Sequence, residues 1–278
     1  IGGQVPAYDA TWSPSCAEDS ATAARRIAEL TGRPDVPIVA GSSDALDEPT
    51  RPRRTAAAEA IVAEAMRDDT ALPLVVACGG SLTNIASAWL MEPRIAERLT
   101  LVWIGGREYD DLAPPPADGL GFEYNTTIDT PAAQVVFNES DLDLWQVPRS
   151  TYTQVIASRS EMLARLRPHG PLGEELFDAI GRMAERMASS WNLHLGETYV
   201  LGDSPLVLLT ALLSSFGAAP SSCQWVVRPR PRLLPSGDYD TSTEGPPVRI
   251  FTRIDCRLLL EDLYAKLALH AADGGGVS

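Results

Sequence analysis

The sequence predicts an α/β protein built on an open, mostly parallel (Rossmann-like) sheet flanked by helices. Three observations carry this expectation. Segments with apolar residues at helical spacing alternate with short β-rich runs, the pattern of successive βα units. Two of those runs, 74–78 and 100–104, are almost wholly apolar and lead into glycine pairs, as buried parallel strands entering tight turns do. Of the 278 residues, 45% are apolar, enough to build a sizeable core. No repeat and no linker divides the chain, so residues 1–278 are expected to form one domain.

Taken in order, a helix over 18–30 carries Ile27 and Leu30 on its apolar side and stops at Gly32 and Pro34. Residues 36–40 read as a short strand. Over 55–66, Ala58, Ile61, Val62, Ala65 and Met66 share one stripe, which predicts a helix. The strand 74–78 enters Gly79-Gly80-Ser81 and a helix over 82–90, and the strand 100–104 ends at Gly105-Gly106. A polar loop over 107–121 carries three consecutive prolines, Pro114 to Pro116, and excludes regular structure. A short helix over 131–137 with proline in its first turn and a strand over 142–147 follow. Leu176, Ile180, Met183, Met187 and Trp191 mark the core stripe of a long helix over 172–191. Ser204 before Pro205 reads as the cap of a helix over 206–216. Residues 223–227 and 248–251 read as a strand pair, 258–269 as the last helix, and 271–278 as a frayed tail.

Composition narrows the function. Against 23 Lys and Arg stand 37 Asp and Glu, a net charge of −14. Nucleic-acid and anionic-membrane surfaces need clustered cations, and the one basic cluster, Arg51, Arg53 and Arg54, is diluted by Pro52, Asp47 and Glu48 and reads as a solvated loop. The apolar run 206–213 is too short to cross a bilayer. Cys16, Cys78, Cys223 and Cys256 lack metal-site spacing and fit reduced thiols, which points to the cytoplasm.

In open parallel sheets, ligands bind beyond the carboxyl ends of the strands. That directs attention to Gly2-Gly3-Gln4, Gly79-Gly80-Ser81, residues 105–125 and Gly202-Asp203. The dense polar group among them is Glu123-Tyr124-Asn125. If that segment is extended, its carboxylate and amide point the same way, suited to the vicinal hydroxyls of a sugar.

Together these segments resemble the inosine-uridine type nucleoside hydrolases. Gly80-Ser81-Leu82-Thr83-Asn84-Ile85-Ala86 is similar to the family's Gly-x-Leu-Thr-Asn-Ile-Ala turn, and Trp103-Ile104-Gly105-Gly106 to its Met-Gly-Gly strand end. Glu123-Tyr124-Asn125, then Asp129-Thr130-Pro131-Ala132-Ala133 and Val136-Phe137, resemble its Glu-Phe-Asn…Asp-Pro-x-Ala-Ala…Val-Phe run. Gly202-Asp203-Ser204-Pro205 stands where the family has His-Asp-x, and residues 38–41 resemble the strand and glycine before its variable loop. The resemblance implies hydrolysis of the N-glycosidic bond of a ribonucleoside, or a related N-riboside, by water activated on a bound Ca²⁺. It makes Asp203 a metal ligand through its carboxylate and Gly79 one through its backbone carbonyl. Glu123 and Asn125 would hold the ribose hydroxyls, Ile104 and Tyr124 would wall the sugar, and the chain would form a homodimer or homotetramer.

The departures are equally specific. The family's Asp-x-Asp-x-x-x-Asp-Asp cluster has no match; Asp110-Asp111 lacks the companion acids and reads as solvated. The match begins at Ile1-Gly2-Gly3-Gln4, so one βαβ-sized unit of about 30 residues, carrying the general base, is expected upstream of Ile1. Gly3, Ala117 and Gly202 stand where the family has Asn, Asn and His. These losses make a non-catalytic, ligand-binding or assembly protein the alternative reading. His194 and Trp191 are candidates to replace the lost histidine but read better as helix-end packing. An esterase reading of Gly202-Asp203-Ser204 fails because Leu267, not an acid, stands three residues before His270.

Overall fold

The computed structural model describes residues 15–116, 121–212 and 222–274. The Ile1-Gly2-Gly3-Gln4 turn, Ala117, residues 213–216 of the expected helix and the end of the tail lie outside the described residues. So does the side chain of Trp191.

The frame is a five-stranded sheet. Strands β1 (Leu74–Cys78), β2 (Leu99–Ile104), β3 (Asp143–Val147) and β9 (Pro247–Arg253) run parallel, and β6 (Gln224–Pro229) closes the far edge antiparallel to β9. The order is β1-β2-β3-β9-β6, with Cys78 opposite Trp103 and Ile104 opposite Val147 at the carboxyl ends. Two small antiparallel ladders stand apart, β4 (Ile156–Ser158) with β5 (Thr198–Val200) and β7 (Arg232–Leu233) with β8 (Tyr239–Asp240).

Period-two alternation along these strands makes two cores. Leu101, Trp103, Leu144, Val248 and Ile250 face helices α2 (Ala56–Ala65), α3 (Thr83–Met91) and α5 (Thr130–Gln134). Val102, Ile104, Val147 and Phe251 face α9 (Pro205–Ala211) and α10 (Cys256–Ala272), which contribute Leu208, Leu209 and Leu259. Helices on both faces are what a parallel sheet requires. A third cluster unites α1 (Cys16–Leu30), α7 (Arg159–Arg165), α8 (Gly170–Trp191) and α10 around Met162, Leu166, Leu172, Tyr264 and Leu267.

Several expectations change. Residues 36–40 form no strand; Val36 and Val39 are exposed, and among the described residues no strand pairs with them. Strand β1 is apolar but only half-buried, since among the described residues it pairs on one side only. Along α8 the stripe packs at Leu172, Leu176 and Ile180, whereas Met183 and Met187 stay half-exposed outside the cluster. Ser204 makes no side-chain cap bond; its backbone is already helical, so its side chain is not placed to accept from the first turn. The segment after β2 contains no helix over 107–116, as its prolines require, and a π-helical turn, Val135–Glu139, extends α5.

Trp103 joins the fold to the strand ends. Its ring is fully buried edge-on to Phe137, and its indole Nε1 donates to the carbonyl of Gly80 at 2.9 Å. Trp103→Ala is expected to lower unfolding free energy by about 3–5 kcal/mol in a urea titration, the range for emptying a large buried aromatic site. Trp103→Phe should cost less while still losing the Gly80 bond.

Candidate active site

The carboxyl ends of β1 and β2 open into two glycine turns, and α4 (Tyr124–Ile128) lies across them. Gly106 sits at φ +88°, a left-handed backbone that glycine adopts freely, and a Cβ there would overlap Gln146 and Tyr239. This turn points the Gly106 N–H at the Glu123 carboxylate, Oε2, 2.7 Å away.

Glu123 is not part of an extended pair with Asn125. It is the N-cap of α4, only 2% exposed, and its carboxylate turns inward to the helix backbone. Oε2 accepts from Gly106 N, Thr126 N (2.9 Å) and Thr126 Oγ1 (2.8 Å). Oε1 accepts from Asn125 N (3.1 Å) and from the phenol of Tyr152 (3.0 Å). A capping carboxylate at a helix start answers otherwise unpaired N–H groups, which is why the side chain faces in. Asn125 occupies the first turn, and its Nδ2 donates to the Ile104 carbonyl at 2.8 Å and the Gly79 carbonyl at 3.4 Å, bridging the two strand ends. Its Oδ1 accepts nothing among the described residues.

Asp203 reaches the same place from the turn before α9. A Cβ on Gly79 would lie 3.0 Å from its Cγ, so the two residues expected to act together are in contact, and only glycine lets the carboxylate approach. Asp203 keeps an open surface, but dense protein around its base desolvates the charge, and the nearby Glu123 carboxylate adds repulsion; together they push its pKa up to about 6. Its carboxylate makes no hydrogen bond or ion pair among the described residues. Ile104 gives its carbonyl, but its side chain is 1% exposed inside the second core, leaving no surface for a sugar; Tyr124 is half-buried. His194 is exposed beyond the end of α8.

Three contributors were given no role by the sequence reading. Tyr152 ends the short helix α6 (Arg149–Tyr152) and stands beside Gly202, whose Cβ would lie 3.2 Å from the ring Cδ2. Burial first, then the Glu123 charge, push its pKa far above the usual phenol value, so it remains a donor. Arg149 and Glu108 form a buried bidentate pair at 2.8 and 2.6 Å, and Arg149 Nη1 donates to the Phe122 carbonyl, fixing the residue before Glu123. Asp129, 1% exposed, caps α5 at Ala132 N and accepts from Thr83 Oγ1 (2.6 Å) and Leu46 N (3.0 Å), tying three segments together. Asp110 and Asp111 are exposed, as expected, though Asp111 pairs with Arg228 at 2.9 Å. Arg53 is less free than a solvated loop implies, binding Asp47 and the Ala45 carbonyl.

The carboxyl ends of adjacent parallel strands, where these polar groups gather, are where open α/β proteins bind small molecules. The particular family follows from comparison: the chain belongs to the inosine-uridine preferring nucleoside hydrolases, matching that family over residues 10–232. Segments of 62 and 69 residues are 47% and 45% identical to the inosine-uridine preferring nucleoside hydrolases of Leishmania major and Crithidia fasciculata. They span 22% and 24% of this chain and only 18% and 19% of those proteins. The fold is similar to a plant nucleoside hydrolase, PpNRh1 (TM-score 0.66, 17% identity, covering 91% of this chain and 86% of that one). It is also similar to a purine-preferring ribonucleoside hydrolase from Gardnerella vaginalis (TM-score 0.64, 17% identity, 98% and 90% covered). At this identity these likenesses speak for the fold.

The Glu108–Arg149 pair predicts an acid-sensitive site. Burial raises the Glu108 pKa, but the hydrogen bonds and charge of Arg149 outweigh it and leave the pKa below its ordinary 4.5. Its stabilising contribution is therefore complete above about 4.5 and lost as pH falls through the lower folded value. Wild-type stability should drop with acid in this window, and Glu108→Gln should flatten that part of the profile in chemical denaturation. Arg149→Ala, which strands a buried carboxylate, should cost about 3–5 kcal/mol at neutral pH.

Proposed function

We propose that the chain hydrolyses the N-glycosidic bond of ribonucleosides, adding water across the bond between the anomeric carbon and the base to give free base and ribose. The observation that carries this reading is the Asn125 amide bridging the Ile104 and Gly79 carbonyls, with Asp203 against Gly79. Family membership supplies the substrate class. In this reading the Oδ1 of Asn125 accepts from a ribose hydroxyl, Glu123 holds a second hydroxyl, and Tyr124 borders the sugar. Asp203 places negative charge beside the sugar, where positive charge develops as the bond to the base breaks. The charge of −14 supports a free nucleoside over a nucleic acid as substrate. Four free thiols support a cytoplasmic setting, and no described helix is long and apolar enough to cross a membrane.

Calcium, which the resemblance implies, has an incomplete shell here. Asp203 offers an uncompensated carboxylate and Gly79 a carbonyl, against the roughly six to eight oxygens the ion takes. Among the described residues no three His, Cys, Asp or Glu side chains converge on a metal site. The described residues alone do not fit the ion.

A second reading, nucleoside binding without hydrolysis, is favoured by one observation: Glu123 already has five donors. Incubating the protein with inosine or uridine, with and without added CaCl₂, and measuring free base and reducing sugar separates the two. Hydrolysis predicts base release that falls at least 100-fold, about 3 kcal/mol of barrier, in Asp203→Ala. Tight binding of intact nucleoside with no base released would establish the second reading instead.

A further inference from the structure

An ionised carboxylate offers about four lone-pair positions, and Glu123 receives five hydrogen bonds. A ligand hydroxyl can bind it only by replacing one of them. Three are backbone N–H groups of the Gly106 turn and the first turn of α4, and the fourth, from Thr126, belongs to the same helix. Releasing one of these backbone N–H groups would leave it unpaired beside a buried carboxylate. The fifth, the Tyr152 phenol, comes from α6, is half-exposed, and binds Oε1, not the Oε2 that Gly106 and Thr126 enclose. Its ring lies against Gly202, the one residue type that puts no side chain in its way.

We infer that Tyr152 is a specificity-determining residue, its phenol occupying on Glu123 Oε1 the position of a sugar hydroxyl and giving it up only to a ligand carrying that hydroxyl. This rests on the nucleoside reading and sharpens it: the site selects against sugars with no hydroxyl to exchange. A Cβ at 202 would press on the Tyr152 ring at 3.2 Å, so a side chain there would have to shift the ring slightly.

The test is inosine affinity by calorimetry in CaCl₂, for wild type and Tyr152→Phe, with 2′,3′,5′-trideoxyinosine, which has no sugar hydroxyl, alongside. Removing the competing phenol should tighten inosine binding about tenfold, the scale of one hydrogen bond to a charged group, and leave the trideoxy compound unchanged. Thr126→Val, which removes a donor from the enclosed oxygen, should not tighten it. In wild type labelled with ring-¹³C tyrosine, the resonance that vanishes in Tyr152→Phe should shift when inosine is added. Inosine binding that is equal or weaker in Tyr152→Phe, or a Tyr152 resonance indifferent to inosine, overturns the inference and leaves the nucleoside reading standing. Failure of inosine to bind any variant overturns both.

Discussion

The Glu123 carboxylate is the constraint on which the strand ends depend. It gathers the turn after β2, the start of α4 and the end of α6 onto two oxygen atoms. The buried Glu108–Arg149 pair locks the residue before it by holding the Phe122 carbonyl. Removing any one donor leaves the rest intact; removing the carboxylate would leave several buried N–H groups without an acceptor at once. Cap and site are one structure, so the orientation of Asn125 and its bridge between two carbonyls is inherited from the cap beneath it.

Much of the frame was legible because it is written in local pattern. β1 fell on its expected residues because a five-residue apolar run bounded by proline and glycine leaves little choice. The helix at 56–65 begins one residue after Thr55, which caps it through Ala58 N as a threonine before an alanine-rich segment should. The contact between Gly79 and Asp203 was also anticipated, from the resemblance and not from spacing. What was illegible depends on partners distant in sequence. Arg149 finds Glu108 across 41 positions, Thr83 finds Asp129 across 46, and Leu46 finds the same carboxylate across 83. The stretch 36–40 has strand composition but no pairing strand among the described residues, and strand propensity without a partner does not make a strand. Glu123 was assigned the right place and the wrong posture, because local competition for helix N–H groups outranks alternation.

Charge is distributed with the same economy. Most acids of this chain are exposed or paired with arginine, as at Asp111, Glu108 and Glu261. Asp203 is exposed too, but it stands near Glu123 with no arginine paired to it among the described residues. Two carboxylates near each other at a strand end are electrostatically unfavourable in the protein alone. In the proposed reading, positive charge developing on the reacting sugar would relieve that unfavourable arrangement.

The half-buried β1 has a consequence for handling the protein. Leu74–Cys78 carries no charge, no proline and no polar side chain, and among the described residues one of its edges lacks a partner strand. Natural edge strands are usually blunted by lysine, proline or a bulge, and this one has none within it. Among the described residues its peptide groups and the exposed Val75 side chain offer a further strand a place to add, and where that edge is left open concentrated solutions should favour intermolecular addition there.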